Sequence, residues 1–140
     1  MIALLALFAA AADVAPTAER AAALEAAGFT STIGCDGREP LGVELGDFNK
    51  DGRGDALITD QGLACYGAAE VGFVLLSKSA DGQWRRLHGS AGVPRFLATS
   101  SGGWPELEVG GPGFCFPVLR WNGREFVEAR RAYQGKSCKR

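Results

Sequence analysis

The sequence predicts a mostly β protein with one short helix near its N-terminus. The 140 residues include 20 glycines and a single methionine, and short apolar runs alternate with Gly, Asp and Asn. That alternation favours antiparallel sheets with many turns over helices. Apolar residues make up 46% of the chain and charged residues 22%, as in folded globular domains. We therefore expect one β domain over residues 29–140, built from about six to eight short strands.

Residues 1–12 have the pattern of a signal peptide. The run from Ile2 to Ala12 is apolar and uncharged, too short to span a bilayer as a helix, and it ends in small residues that suit a signal peptidase. An N-terminal anchor or a buried helix would share this pattern. We expect cleavage after Ala12 and a periplasmic or secreted protein with no membrane span once the leader is removed.

Residues 13–28 predict a helical segment that leads into the sheets. Pro16 suits a first helical turn, alanines fill the interior, and Gly28 is placed to end the helix. Downstream, Asp81-Gly82 and Asn122-Gly123 each lie between β-prone runs, which indicates two hairpins with tight turns. The acidic segment between residues 46 and 56 is likewise flanked by strand candidates, 42–45 and 56–59.

The two halves of the β region look alike. Each half has a strand, a link that contains a cysteine, a second strand, a turn and a third strand, which suggests a degenerate internal duplication. The matching segments are 56–59, 73–76 and 81–84 in the first half and 106–109, 116–119 and 122–126 in the second half.

The four cysteines predict two disulfides. Their number is even, the chain carries a leader-like segment, and there is no Cys-x-x-Cys pair that would indicate zinc. Three pairings are possible for Cys35, Cys65, Cys115 and Cys138. We favour Cys35–Cys65 with Cys115–Cys138, because each bond then closes a loop of moderate length, which is worth about 3 kcal/mol in unfolded-state entropy.

The segment from Asp47 to Asp55 predicts a calcium loop. Side-chain oxygens recur at alternate positions, at Asp47, Asn49 and Asp51; the Arg53 carbonyl and Asp55 follow. This is the spacing with which a short loop wraps a hard cation that takes six to eight oxygens. Three carboxylates in nine residues also repel one another without a cation. Tight turns made by Asp, Asn and Gly without a metal remain the alternative.

The loop is not an EF-hand, since its twelfth position is Ile58 and strands flank it. The stretch from Leu45 to Ile58 resembles the calcium loop of FG-GAP and VCBS-type repeats, which join strands of integrin-like propeller blades. The resemblance implies two degenerate blade-like units, only the first with an ion site; a whole propeller needs four or more blades. Without the twelfth-position glutamate we expect a structural site with a Kd on the order of 0.1 to 1 mM.

Catalytic candidates are few. His88 is the only histidine, no Gly-x-Ser-x-Gly elbow accompanies it, and Glu106 and Glu108 lie two apart on one strand face. On a hairpin, such a pair is commonly a solvent-facing edge. We expect no enzymatic activity.

Four aromatic residues near the Gly-rich stretch 110–113 are candidates for contact with a protein or glycan partner, with core packing as the alternative. They are Trp104, Phe114, Phe116 and Trp121. The end of the chain, residues 117–140, holds seven Lys or Arg against two Glu. We expect this basic end to be a solvated face and expect no nucleic-acid partner.

These observations lead to two functional hypotheses. The first is an exported, calcium-stabilised binding module without catalytic activity. The second is a periplasmic inhibitor or immunity-like protein of a cell-wall hydrolase. The two differ in whether residues 110–116 project from the fold.

Overall fold

The computed structural model describes residues 17–139 and shows two antiparallel sheets and a short N-terminal helix. The expected leader, residues 1–12, lies outside the described residues. Each sheet is a meander of strands in chain order, four strands in the first and five in the second. The strands are β1 Gly42–Gly46, β2 Asp55–Gln61, β3 Val71–Lys78, β4 Trp84–Ala91, β5 Val93–Ser101, β6 Trp104–Gly110, β7 Phe116–Trp121, β8 Phe126–Tyr133 and β9 Lys136–Ser137.

The mostly β prediction is confirmed, with nine strands instead of six to eight. Both expected hairpins form: β3 pairs with β4 across Asp81-Gly82, and β7 pairs with β8 across Asn122-Gly123. The two strands without a counterpart in the sequence prediction are β5 and the two-residue β9. Pro94 lies in β5, the edge strand of the second sheet, and an edge strand is where a sheet tolerates proline.

The N-terminal helix, α1 (Thr17–Ala26), covers one face of the first sheet. It ends as expected at Gly28, whose φ of 91° lets the Phe29 amide reach back to the Leu24 carbonyl. Ala23 and Leu24 are buried against side chains such as Ile58 and Leu76, which fill the outer face of the first sheet. The twelfth position of the acidic loop is therefore a core residue under the helix.

The main core lies between the two sheets. Leu57 and Leu75 of the first sheet pack in one cluster with Leu107, Leu119 and other residues of the second. Burial of such side chains is worth roughly 1.5 to 3 kcal/mol each. The sheets thus form a sandwich held by apolar contact.

A single residue, Gly92, links the last strand of the first sheet to the first strand of the second. Its φ is 127°, and a Cβ at this position would lie 2.4 Å from a methyl group of Val109 and 2.9 Å from the Gly110 carbonyl oxygen. Only glycine fits such a close backbone approach. The direct connection brings the two sheets face to face.

Both expected disulfides form, Cys35–Cys65 and Cys115–Cys138, and no free cysteine remains among the described residues. Cys65 lies in a short helix, α2 (Leu63–Tyr66), within the β2–β3 connection, and Cys115 lies in the β6–β7 connection. Because all strands run antiparallel, these connections share one end of the molecule. We call it the disulfide end and call the opposite end, with the 47–54 loop, the acidic-loop end.

Candidate functional site

The acidic loop connects β1 to β2, whose last and first residues, Gly46 and Asp55, pair across the hairpin. Two positive φ angles coil the loop, 57° at Lys50 and 82° at Gly52. Nothing lies within 4 Å of a Cβ added at Gly52, so glycine serves there for its backbone conformation. The hairpin thereby folds the nine residues from Asp47 to Asp55 into one tight coil.

Asp47 is the organising side chain of this coil. Its two carboxylate oxygens accept hydrogen bonds from the amides of Asp51 (3.1 Å) and Gly52 (2.9 Å). Asp51 in turn accepts from the Arg53 amide at 2.8 Å and from the side-chain amide of Asn49 at 3.2 Å. The Arg53 amide is the largest cause of a lowered pKa at Asp51, which keeps this exposed carboxylate ionised. Side-chain oxygens therefore turn inward along the loop.

Asp55 differs from the other loop carboxylates because it is fully buried. Its oxygens accept hydrogen bonds from the amides of Phe48 (2.8 Å) and Asn49 (3.3 Å) and from the Ser77 hydroxyl of β3 (2.5 Å). Burial nevertheless raises the pKa of Asp55, outweighing these hydrogen bonds. Burial therefore disfavours the ionised form of Asp55 even though three hydrogen bonds stabilise it.

The loop also contacts the second sheet. Phe48 packs on the inter-sheet core, with its ring centroid 5.1 Å from that of Phe96 in β5. A Cβ at Gly103, in the β5–β6 turn, would lie 3.5 Å from the Asn49 carbonyl oxygen. The conformation of the loop is therefore coupled to the packing of the two sheets.

The donor set of the loop suits a hard cation, because it consists of carboxylate, amide and carbonyl oxygens. Within residues 17–139, no three carboxylate, imidazole or thiolate groups lie close enough together to form a ready-made cluster. Asp47 and Asp51 face backbone amides, and Asp55 faces Ser77. Ile58 is fully buried in β2 and supplies no twelfth-position ligand, so any ion depends on the first nine positions.

The four aromatic candidates do not form one cluster. Trp104 is only 3% exposed and lies in the inter-sheet core at the acidic-loop end, with its ring centroid 6.1 Å from that of Trp121. Phe114 and Phe116 lie at the disulfide end, where both contact Tyr133 edge-on. Sequence proximity to Gly110–Gly113 was misleading, because antiparallel strands carry neighbouring residues to opposite ends.

Phe114 projects from the molecule. Its side chain is 74% exposed, the largest exposed fraction among the large apolar residues of the described chain. The Cys115–Cys138 bond anchors the loop, and Arg131 donates a hydrogen bond to the Cys115 carbonyl at 3.4 Å. Val93, at the same end, is 48% exposed. The disulfide end therefore presents two exposed apolar side chains, of which Phe114 lies on an anchored loop.

Glu106 and Glu108 are buried, contrary to the expected solvent-facing edge. Arg130 pairs with Glu106 at 2.6 Å, and Arg95 makes a bidentate contact with Glu108 at 3.0–3.1 Å. The hydrogen bond from Arg130 is the main cause of a lowered pKa at Glu106. Glu106 is thereby held ionised, and each of the two ion pairs links a buried carboxylate of β6 to an arginine of another strand, which stabilises the sheet.

His88 lies half-buried between the sheets. Its ring centroid is 5.8 Å from that of Phe73 and 6.4 Å from that of Phe126. Burial lowers the pKa of His88, and the nearby charge of Arg86 lowers it further. The neutral imidazole therefore packs as an aromatic ring.

Sequence reasoning missed Asp60, which is 2% exposed. It accepts hydrogen bonds from the Cys35 amide at 3.1 Å and from the Tyr66 hydroxyl at 2.8 Å. Burial, together with Asp60, raises the pKa of Tyr66 to about 12. Asp60 thus positions both segments that the Cys35–Cys65 bond joins. The only signal in the sequence was a carboxylate at the end of an otherwise apolar strand.

Comparison of the chain with protein-family models, with curated proteins and with solved structures found no match. The FG-GAP resemblance therefore stays a prediction. Among the described residues, no helix has the length and apolar character needed to cross a bilayer.

Proposed function

We propose that the protein is an exported, disulfide-stabilised binding module without catalytic activity, in which the β1–β2 loop holds a structural calcium ion. The observation that carries the proposal is the loop itself, with three carboxylates and an amide oxygen coiled between paired strands. Asp55 gives the strongest support, because its buried charge has a raised pKa and a cation would compensate it. Asp47, Asn49, Asp51, the Arg53 carbonyl and Asp55 would hold the ion.

A calcium ion would offset two of the three negative charges of the loop carboxylates. Phe48 and Asn49 contact the second sheet from within the same loop, so ordering the loop also supports the inter-sheet core. The ion thus acts on the stability of the whole sandwich.

Two disulfides support an oxidising compartment. Together with the leader-like residues 1–12, they favour a periplasmic or secreted location. Mature protein isolated from such a compartment would begin near Asp13 if the leader is cleaved as expected.

Calcium is expected to stabilise the protein. With a Kd on the order of 0.1 to 1 mM, 10 mM calcium should add about 1.4 to 2.7 kcal/mol to the free energy of unfolding. Asp51→Asn should abolish this gain while keeping an oxygen that can accept from the Arg53 amide. Urea unfolding with calcium and with chelator measures the difference.

The matched control is Asp81→Asn, which changes an exposed aspartate in another tight turn, where it accepts from the Gln83 amide. This variant should keep the full calcium response. Equal stability of the wild type in calcium and in chelator would refute the structural calcium site.

The second hypothesis, an inhibitor of a cell-wall hydrolase, is favoured by one observation. Phe114 projects on a loop anchored by Cys115–Cys138 and by contact with Tyr133. An anchored, exposed aromatic residue suits insertion into a partner's cleft, since little conformational entropy is lost on binding.

Phe114→Ala should abolish inhibition in a peptidoglycan-clearing assay and should lower the free energy of unfolding by no more than about 1 kcal/mol. The control is Val127→Ala, which truncates an exposed apolar side chain of β8. If no peptidoglycan hydrolase is inhibited by the wild type, or if Phe114→Ala inhibits normally, the inhibitor hypothesis is wrong.

A further inference from the structure

An open cavity of about 260 Å³ lies between the two sheets at the acidic-loop end. The first sheet contributes Arg85 and Leu87 of β4, and the second contributes Gly102 and Trp121. The acidic loop closes one side with Asn49 and Asp51. The cavity is therefore built by three separate elements that the sandwich brings together.

The charges around the cavity leave one cation without a partner. Asp51 pairs with Arg53 at 3.3 Å, and Lys78 pairs with Glu19 of α1 at 2.5 Å. Within residues 17–139, Arg85 makes neither an ion pair nor a side-chain hydrogen bond. Its guanidinium therefore remains available at the rim of a cavity that has an excess of positive charge.

The opposite wall is aromatic and held in place. Trp121 is half-buried, with ring centroids 6.1 Å from Trp104 and 5.2 Å from Phe126. A Cβ at Gly102 would lie 3.0 Å from the Trp121 indole, so glycine keeps the neighbouring turn clear of this ring. An indole beside polar groups suits a ligand with one apolar face and several hydroxyls.

We propose that this cavity binds the carboxylated ring of a uronic acid sugar. Arg85 pairs with the carboxylate, since a guanidinium matches that group in a bidentate geometry. The Trp121 indole packs on the C–H face of the ring, and the sugar hydroxyls face the polar lining of the cavity. The cavity volume is below the roughly 300 Å³ of the smallest typical ligand pockets. The site therefore takes a single sugar ring and not a longer oligosaccharide. This proposal goes beyond the calcium site and does not require the ion.

The test is a titration of the folded protein with galacturonate in the presence of chelator, followed through the indole N–H signals of the three tryptophans. We expect the Trp121 signal to shift with a Kd on the order of 1 to 10 mM. Arg85→Gln should weaken binding at least about tenfold. Arg38→Gln, which removes the same charge at the disulfide end, should bind as the wild type does.

Two further ligands separate the chemistry of the carboxylate from that of the ring. Galactose, which has the same ring without the carboxylate, should bind at least about tenfold more weakly than galacturonate. Acetate, which lacks the ring, should also bind at least about tenfold more weakly than galacturonate.

Equal affinity for galactose or for acetate would overturn the assignment, as would no shift of Trp121 or wild-type affinity in Arg85→Gln. Because chelator is present throughout, failure of the calcium proposal leaves this result unaffected.

Discussion

Asp55→Ala should lower the free energy of unfolding by about 3 to 5 kcal/mol and should abolish the calcium response. Asp55 is fully buried and accepts hydrogen bonds from the Phe48 amide, the Asn49 amide and the Ser77 hydroxyl. Each buried donor left without an acceptor costs about 1 to 3 kcal/mol, and water entering the space left by the carboxylate restores part of that cost. Urea unfolding in chelator measures the first effect.

The control for this prediction is Asp55→Asn. The amide oxygen still accepts from the Phe48 amide, while the charge is gone. This variant should therefore be more stable in chelator than Asp55→Ala, and it should still lose the calcium response. A full calcium gain in Asp55→Ala would exclude Asp55 as a ligand.

The pH dependence of the calcium gain follows from the raised pKa of Asp55. Without an ion, protonation of Asp55 favours the folded state. Its contribution to the free energy of unfolding is therefore fully present below the unfolded pKa of about 4. That contribution is lost as the pH rises through the raised folded pKa. Calcium competes with this proton, so the gain should be small near pH 4 and should grow towards pH 7.

Replacing Cys115 and Cys138 together by Ser should destabilise the protein by about 3 to 4 kcal/mol, because the closed loop restricts the unfolded chain. The sequence separation is 23 residues. The double variant leaves no unpaired thiol from this bond, so exchange with Cys35–Cys65 is avoided. Denaturant unfolding of both proteins gives the difference.

The corresponding Cys35→Ser, Cys65→Ser variant is the comparison, with a separation of 30 residues. Loop entropy predicts a similar loss, and only the Cys115–Cys138 variant should release the Phe114 loop. Alkylation of unreduced wild-type protein should label no cysteine. Labelling of two or more would contradict the disulfide framework.

Local signals in the sequence were sufficient for most of the fold. Asp81-Gly82 and Asn122-Gly123 indicated the hairpins because their turns need residues that tolerate positive φ. Gly28 indicated the end of the helix for a similar reason. The cysteine pairing was also predicted, since each of the two bonds closes a loop of moderate length.

The sequence alone did not predict contacts between strands that lie far apart in the chain. Arg95 and Arg130 could not be assigned to Glu108 and Glu106, because the β5 strand was missed and a β-bulge shifts the β7–β8 register next to Val118. The separation of Trp104 from Phe114 likewise depends on strand direction. The cavity beside Arg85 requires the two sheets to face each other, which periodicity within one strand cannot show.

The single-residue link at Gly92 and the placement of the disulfides bear on how an exported chain would mature. In an exported chain, Cys35 and Cys65 would leave the translocation channel before Cys115 and Cys138, and the strands of the first sheet all precede Gly92. The N-terminal part of a chain emerges first during synthesis, so Cys35 and Cys65 can pair before the other two cysteines are available. Oxidation in order of emergence therefore gives the native pairs directly, and maturation should proceed with an oxidase alone, without a disulfide isomerase.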